Sequence, residues 1–335
     1  MTTTDLDHAK RLIEPVCRVA GLPSLIEDFR NELTNHGVLE AIDQHDSAVL
    51  FDWLTEAVSY QRISDWIAWA YMQRHGRATW AELQRNLTRP PSCPKLTVFW
   101  HFHDCRYHKG SGTCAEPDHL PDCPLPTHRL RNGRLNQTAY GLFLFIRDVA
   151  GDDLVSWIDN RLAEGDDPAA PDRLRRLRDS LLVPLRTIYG VSDKVWTMIL
   201  SGLLLGGGQG RKRWLEVGTS MVVVDTLVHN FLHRTGILER FSAAHPYGPG
   251  CYRSNGCADI LEQVAQQIDA RAFNPAFPAV FPRFVQHAIW RYCAQRGLDI
   301  CNGNRIDDDA ACTNGYCRVY GLCDRLALRS QRQRS

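Results

Sequence analysis

The cysteines are the residues whose type and spacing most directly imply chemistry. Near the C-terminus, Cys301, Cys312, Cys317 and Cys323 follow one another with gaps of ten, four and five residues, in a short polar stretch containing glycine. Four thiolates so grouped in a reduced compartment suit a [4Fe–4S] cluster or, failing that, tetrahedral zinc, with Cys293 as a substitute ligand. A second group lies in FWHFHDCRYHKGSGTCAEPDHLPDCPLPTH, where Cys105, Cys114 and Cys123 are separated by eight residues each and His101, His103, His108, His119 and His128 are interleaved. Thiolate plus imidazole is the ligand set zinc prefers. Cys105, His108, Cys114 and Cys123 are therefore candidate ligands of a structural Zn2+ that would order a segment with too few apolar residues to form a core. The spacing matches no standard finger, and a flexible His-rich loop is the alternative. Cys251 and Cys257 frame a Gly/Pro-rich loop and carry no assignment, and Cys17 reads as a small buried hydrophobe.

The compartment matters to this reading. The N-terminus MTTTDLDHAK has neither a basic n-region nor an apolar h-region, and the apolar run from Met198 to Leu205 is too short and glycine-interrupted to span a bilayer. The expected location is the cytoplasm, where thiols stay reduced and clustered cysteines bind metals rather than each other. The 335 residues are ample for two lobes. Lys plus Arg (39) almost balances Asp plus Glu (38), a net charge of +1 that does not advertise nucleic-acid binding. Any polyanion site would have to concentrate charge locally, and Arg173–Arg178, Arg211-Lys212-Arg213 and the tail 325–334 are the candidate patches.

The elements that position these residues are helices. Apolar residues recur at three- and four-residue steps through most of the chain, alternation of strand type is nearly absent outside Met221–Val224, and no repeat or heptad array occurs. Around 89–134 the pattern breaks: RPPSCP stops any helix and the Cys/His-rich segment follows as an insertion over 91–134. From Leu135 helical periodicity resumes. Asp172 is placed to cap a helix from Arg173, and Gly190-Val191-Ser192 is a tight turn joining it to the next, with Ser192 expected to cap through its hydroxyl and Asp193 to favour the helix dipole. Gly206-Gly207-Gly208-Gln209-Gly210 follows a helix rather than a strand and lacks the Gly-Lys-Ser/Thr ending of a phosphate-binding loop, so it reads as a flexible loop.

A hairpin between two helices, a lysine two positions after its serine, and a later Val224-Asp225-Thr226 followed by Arg234-Thr235 together resemble the helix-hairpin-helix DNA glycosylases of the endonuclease III superfamily. The resemblance covers roughly 38–88 and 135–323. It implies an all-α, two-lobed helix-hairpin-helix fold with metal-binding loops: one lobe over 36–205, and a second over 1–35 with 206–335 that ends in the iron–sulfur loop, whose last cysteine gap is also five in many relatives. It further implies that Gly190 and Ser192 offer backbone N–H groups to a DNA phosphate, that Lys194 is the nucleophile with Asp225 opposite it, and that Gln61 reaches toward the flipped nucleotide. Arg211, Lys212 and Arg213 would steer the glycine loop onto DNA, and His229 and His233, four apart but lacking the intervening Glu of zinc proteases, read as core or DNA-facing residues. Three positions depart from the family: Ser192 stands where a second glycine is usual, Gly206–Gly218 lengthens the spacing from Lys194 to Asp225, and Leu227 replaces a common histidine.

The chemistry this implies is base excision. Breaking an N-glycosidic bond develops positive charge on the sugar, which a carboxylate such as Asp225 stabilises. A deprotonated Lys194 would attack C1′ to give a Schiff base, whose acidified C2′ proton leads to β-elimination. The target base must first leave the stack, and Tyr60, Trp196 and Trp214 are aromatics that could meet it, although such residues usually pack in a core. The expected partner is double-stranded DNA with a damaged base or abasic site, met by a monomer in the nucleoid, with no membrane involved. The alternatives are a monofunctional glycosylase in which Asp225 activates water and a catalytically silent DNA-structure-binding protein.

Overall fold

The computed structural model describes residues 3–60, 65–88, 91, 93–108, 110–127 and 133–329. Gln61 and His128 lie outside them. Every regular element among the described residues is an α- or 3-10 helix, and the one β-bridge pairs His108 with Thr113. No helix there is long and apolar enough to cross a membrane. The chain divides into two compact units, Phe29–Val217 and Met1–Asp28 with Gly218–Ser335.

In the unit Phe29–Val217, the helix Ser47–Ser59 packs on Gly133–Asp148. Phe51, Trp80 and Phe143 meet edge to face or tilted at 4.4–6.1 Å between ring centroids, the geometry aromatic quadrupoles prefer. Polar residues fix where helices start. Asp46 accepts the Ala48 and Val49 N–H groups, and Asp153 accepts that of Ser156. Asp172, expected to do the same for Arg173–Leu185, occupies the cap position without capping, because its carboxylate pairs with Arg175 instead.

The expected hairpin is present: Arg173–Leu185 leads through a short turn into Asp193–Gly206. Gly190 has φ +90°, a left-handed conformation glycine adopts without strain. The Tyr189 carbonyl accepts from Thr138 Oγ1 at 2.8 Å, and Arg186 pairs with Asp193 at 2.8 Å across the turn. The glycine segment that follows corrects the expectation of a flexible loop. Gly206, Gly207 and Gly208 are buried, and a Cβ at Gly207 would come within 2.6 Å of Ile42 Cδ1 and 2.9 Å of the Leu203 carbonyl oxygen. These glycines are there for close packing, and a helix resumes at Lys212.

In the other unit, Thr3–Ala20, Thr226–Arg234 and Cys257–Ala265 all pack on Pro282–Cys293. Phe273, Phe277, Phe281 and Phe284 form one aromatic cluster at 5.0–5.9 Å. Met221–Val224 leads into Asp225 as a buried segment without regular structure, so the residue before the Thr226–Arg234 helix is held from both sides.

Candidate metal centres

The helix Thr226–Arg234 organises one unit's chemistry. Asp225 caps it, accepting the Val228 N–H at 2.9 Å. One turn later His229 is buried, with its Nδ1 3.4 Å from Cys257 Sγ and 3.5 Å from Cys251 Sγ. His245 completes the group: its Nε2 stands 3.5 Å from Cys257 Sγ, while its Nδ1 donates to the Ala243 carbonyl at 2.6 Å. That second bond orients the ring and leaves Nε2 free to ligate, the supporting contact that ligating histidines ordinarily make. The four ligand atoms all lie within 4.8 Å of one another. A tetrahedral ion bound at ~2.0–2.3 Å requires edges of roughly 3.4–3.8 Å between nitrogen and sulfur ligands. The observed nitrogen–sulfur spacings fit, and this group can hold a metal ion.

The two thiols are electrostatically unlike. The Cys257 S–H donates to Cys251 and, with His229 and the Gly248 N–H, makes the Cys251 thiol much easier to ionise. Cys257 is pushed upward in turn, first by that neighbouring thiolate and then by burial. An ion displaces the shared proton and removes the conflict. The sequence reading left Cys251 and Cys257 unassigned and paired His229 only with His233. His233 instead faces the Ala327 carbonyl, 3.3 Å from its Nε2. The available signal was the even spacing His245-x5-Cys251-x5-Cys257.

At the other end of the same helix, Cys301, Cys312, Cys317 and Cys323 line one cavity with Tyr292, Arg234 and Arg325. The tail is tied to the helix end by backbone bonds from Leu326 to the Arg234 carbonyl (2.9 Å) and from Asp324 to the Thr235 carbonyl (3.4 Å). Cys312 and Cys323 accept the N–H groups of Asn314 (3.5 Å) and Arg325 (3.3 Å), and Cys317 that of Val319, each two residues further on. The Tyr292 hydroxyl lies 3.2 Å from Cys317 Sγ. Cys293 stands behind this wall, fully buried, with its S–H directed at Cys301, whose own thiol is thereby pushed down.

Whether an anionic group fits there can be tested on the two arginines. Arg234 is 1 % exposed; its Nη2 pairs with Asp308, but its Nε and Nη1 meet no acceptor among the described residues, and neither does Arg325 Nε. Buried guanidinium N–H groups without acceptors are costly. An anionic thiolate-bound centre in the cavity offsets that cost, so the donor set and its surroundings fit one.

The remaining expected residues are dispersed. Cys105, Cys114 and Cys123 line a separate cavity together with Cys93, while His108 turns its Nδ1 to Ser111 Oγ at 2.9 Å. Ser192 sits at the cap of Asp193–Gly206 without a side-chain capping bond, so its hydroxyl does not cover the first-turn N–H groups. Lys194, half-buried, is in that first turn and belongs to the unit Phe29–Val217, whereas Asp225 belongs to the other. Arg211 pairs with Asp159 at 2.6 Å and stacks over Trp214; Arg213 pairs with Asp166 at 2.7 Å; Lys212, 90 % exposed, is 3.7 Å from Glu216. Arg173 also binds Asp166, and the two guanidinium groups hold that carboxyl at about 2. Trp196 and Trp214 are buried core residues, and Tyr60 ends a helix with its hydroxyl on Glu56.

Comparison of the chain with protein-family models, with curated proteins and with solved structures finds no match.

Proposed function

We propose that this chain is a base-excision DNA glycosylase with associated lyase activity, acting on duplex DNA that carries a damaged base or an abasic site. The observation that carries the reading is the tail: four thiols, whose last gap of five is that of the resembling family although the earlier gaps are longer, gather at one cavity, tied to the end of the helix that Asp225 begins. The turn at Gly190, with Lys194 in the following first turn, supports it from the other unit.

On this reading the deprotonated Lys194 amine attacks C1′ of the flipped nucleotide while the C1′–N bond breaks and the base leaves with the electron pair. Asp225 stabilises the positive charge that develops on the sugar. Opening of the sugar ring in the resulting C1′ aminal, with O4′ leaving C1′ and taking up a proton, gives the imine, and removal of a C2′ proton expels the 3′ phosphate. Gly190, Ser192 and Lys212 contact the DNA backbone, and Arg211 and Arg213 can do so only by exchanging their carboxylate partners for phosphates. Gln61 keeps the role the resemblance implies for it. Cys301, Cys312, Cys317 and Cys323 would hold a [4Fe–4S] cluster, which supplies structural order to the loop. The His229, His245, Cys251 and Cys257 group would hold zinc; with four protein ligands it is a closed, structural site.

Borohydride trapping on an abasic-site duplex tests the assignment. A covalent protein–DNA adduct is expected with the wild-type chain and is expected to vanish with Lys194→Gln. Base release without an adduct would instead make the enzyme monofunctional, with Asp225 activating water. DNA binding with neither would leave a non-catalytic DNA-structure-binding protein.

A further inference from the structure

The cysteine-rich segment contains a second four-thiol arrangement, and its membership differs from the one spacing suggested. Cys93, Cys105, Cys114 and Cys123 line a single cavity, closed on its apolar side by the buried Leu96 and Leu125. Cys93 precedes the short helix Pro94–Leu96, in the proline-rich stretch that looked like a simple helix breaker. Here too backbone N–H groups are aimed at sulfur from two residues further on: Tyr107 donates to Cys105 and Leu125 to Cys123. The tail cysteines show the same relation at Cys312, Cys317 and Cys323. An N–H aimed at sulfur favours the thiolate over the thiol and, in a cluster, helps set its potential.

Three of the segment's described histidines are engaged elsewhere, while His119 lines the cavity beside the thiols. His108 bonds Ser111, His103 Nδ1 donates to the Trp100 carbonyl at 2.6 Å, and His101 Nδ1 faces Thr97 Oγ1 at 3.2 Å. The spacing of the thiols also separates this cavity from the one-ion group. A single tetrahedral zinc needs its sulfurs ~3.8 Å apart, and among the described residues the group whose ligand atoms draw within 4.8 Å of one another is that of His229, His245, Cys251 and Cys257. The four thiols of segment 93–125 line one cavity without forming so close a one-ion group. The regular structure of the segment among the described residues is limited to short 3-10 turns and one four-residue helix, so little besides a metal centre orders it.

We propose that Cys93, Cys105, Cys114 and Cys123 ligate a second iron–sulfur cluster, and that His108 is not a ligand. The inference stands on this segment alone and does not depend on the glycosylase reading. The test is iron, sulfide and zinc analysis of the full chain, purified anaerobically and reconstituted with ferric iron, sulfide and excess thiol, with electron paramagnetic resonance after reduction by dithionite. In a chain carrying Cys312→Ser with Cys317→Ser, the tail site is disabled, and about four irons and four sulfides are expected to remain. Adding Cys93→Ala should remove them, and adding His108→Ala should not. Should the triple variant fail to fold, Cys93→Ala or the more exposed Cys114→Ser in the otherwise wild-type chain should lower iron by about four per chain and delete one of two paramagnetic signals. Zinc in this segment, an iron content that Cys93→Ala leaves unchanged in either background, or iron lost with His108→Ala would overturn the proposal. A negative borohydride trap would leave it standing.

Discussion

Asp225 caps a helix, and on the proposed mechanism it also stabilises charge at the sugar; replacing it with Asn separates these two roles. The carboxylate oxygen accepts one N–H, that of Val228 at 2.9 Å, and nothing in that bond needs a negative charge. Asn and Asp cap helices about equally well, so Asp225→Asn should cost under about 0.5 kcal/mol, whereas Asp225→Ala should cost ~1 kcal/mol. In a unit of this size ~1 kcal/mol moves the unfolding midpoint by about 2–4 °C. A unit charge about 4 Å from a developing cation, at an effective dielectric of about 20, is worth ~4 kcal/mol, or roughly 10³-fold in rate. Single-turnover base release and thermal unfolding are measured on the same preparations. The expected pattern is an Asn variant that melts like wild type, keeps its metals and releases base about 10³-fold more slowly. If Asp225→Asn released base within a few-fold of wild type while Asp225→Ala lost both stability and rate, the carboxylate would be only a cap and its catalytic assignment would fail.

Three further outcomes follow from the geometry. Cys257→Ala should release the metal from the His229 group, read as loss of one zinc per chain by elemental analysis, while His233→Ala, altering a residue that faces the Ala327 carbonyl instead, should keep it. Gly207→Ala should destabilise the unit Phe29–Val217 by ~1–3 kcal/mol, because the added methyl must displace Ile42 or strain the Leu203 turn; an unchanged melt would restore the flexible-loop reading. The Asp166 carboxyl, held at about 2 by Arg173 and Arg213, gives a contribution present above its unfolded value near ~4 and lost as the pH falls toward 2. Asp166→Asn should therefore flatten the acid limb of stability between about pH 4 and 2 and leave behaviour above pH 5 nearly unchanged in slope, as read by denaturant titrations across that range.

The parts of this structure legible in the sequence are those with local causes. Helix periodicity and the hairpin turn at Gly190 depend on residues within a few positions of one another, and each appears where local pattern put it. What local pattern missed is instructive. Ser192 and Asp172 have the right chemistry for capping, but Asp172 finds a better partner in Arg175 one turn on. The glycine run looked mobile because sequence carries no record of what a missing side chain makes room for; here it is Ile42 and the Leu203 carbonyl. The His229 group eluded spacing arguments because its ligands come from a helix, a loop, a 3-10 turn and a helix start, with fifteen residues between its two histidines. Cys93 was hidden by the prolines around it, which explain a helix stop so well that its thiol went unassigned.

One nine-residue helix, Thr226–Arg234, accounts for the arrangement of the tail-bearing unit's chemistry. Asp225 stands at its start, His229 one turn in, and Arg234 at its end beside the four tail thiols. At ~1.5 Å rise per residue, these three residues span only about 14 Å. A helix this short is marginal by itself, so its position must come from what grips it. The His229 group would fix the middle through a metal, and the tail cavity would fix the end through Arg234 and the backbone bonds to Leu326 and Asp324. Each grip limits how far Asp225 can wander, and a displacement of about 1 Å at a reacting carboxylate is enough to cost ~10²-fold in rate. Metal centres that touch no reacting atom would then act on catalysis through placement alone, and loss of either metal should lower base release in step with increased hydrogen exchange at the Val228 and His229 amides.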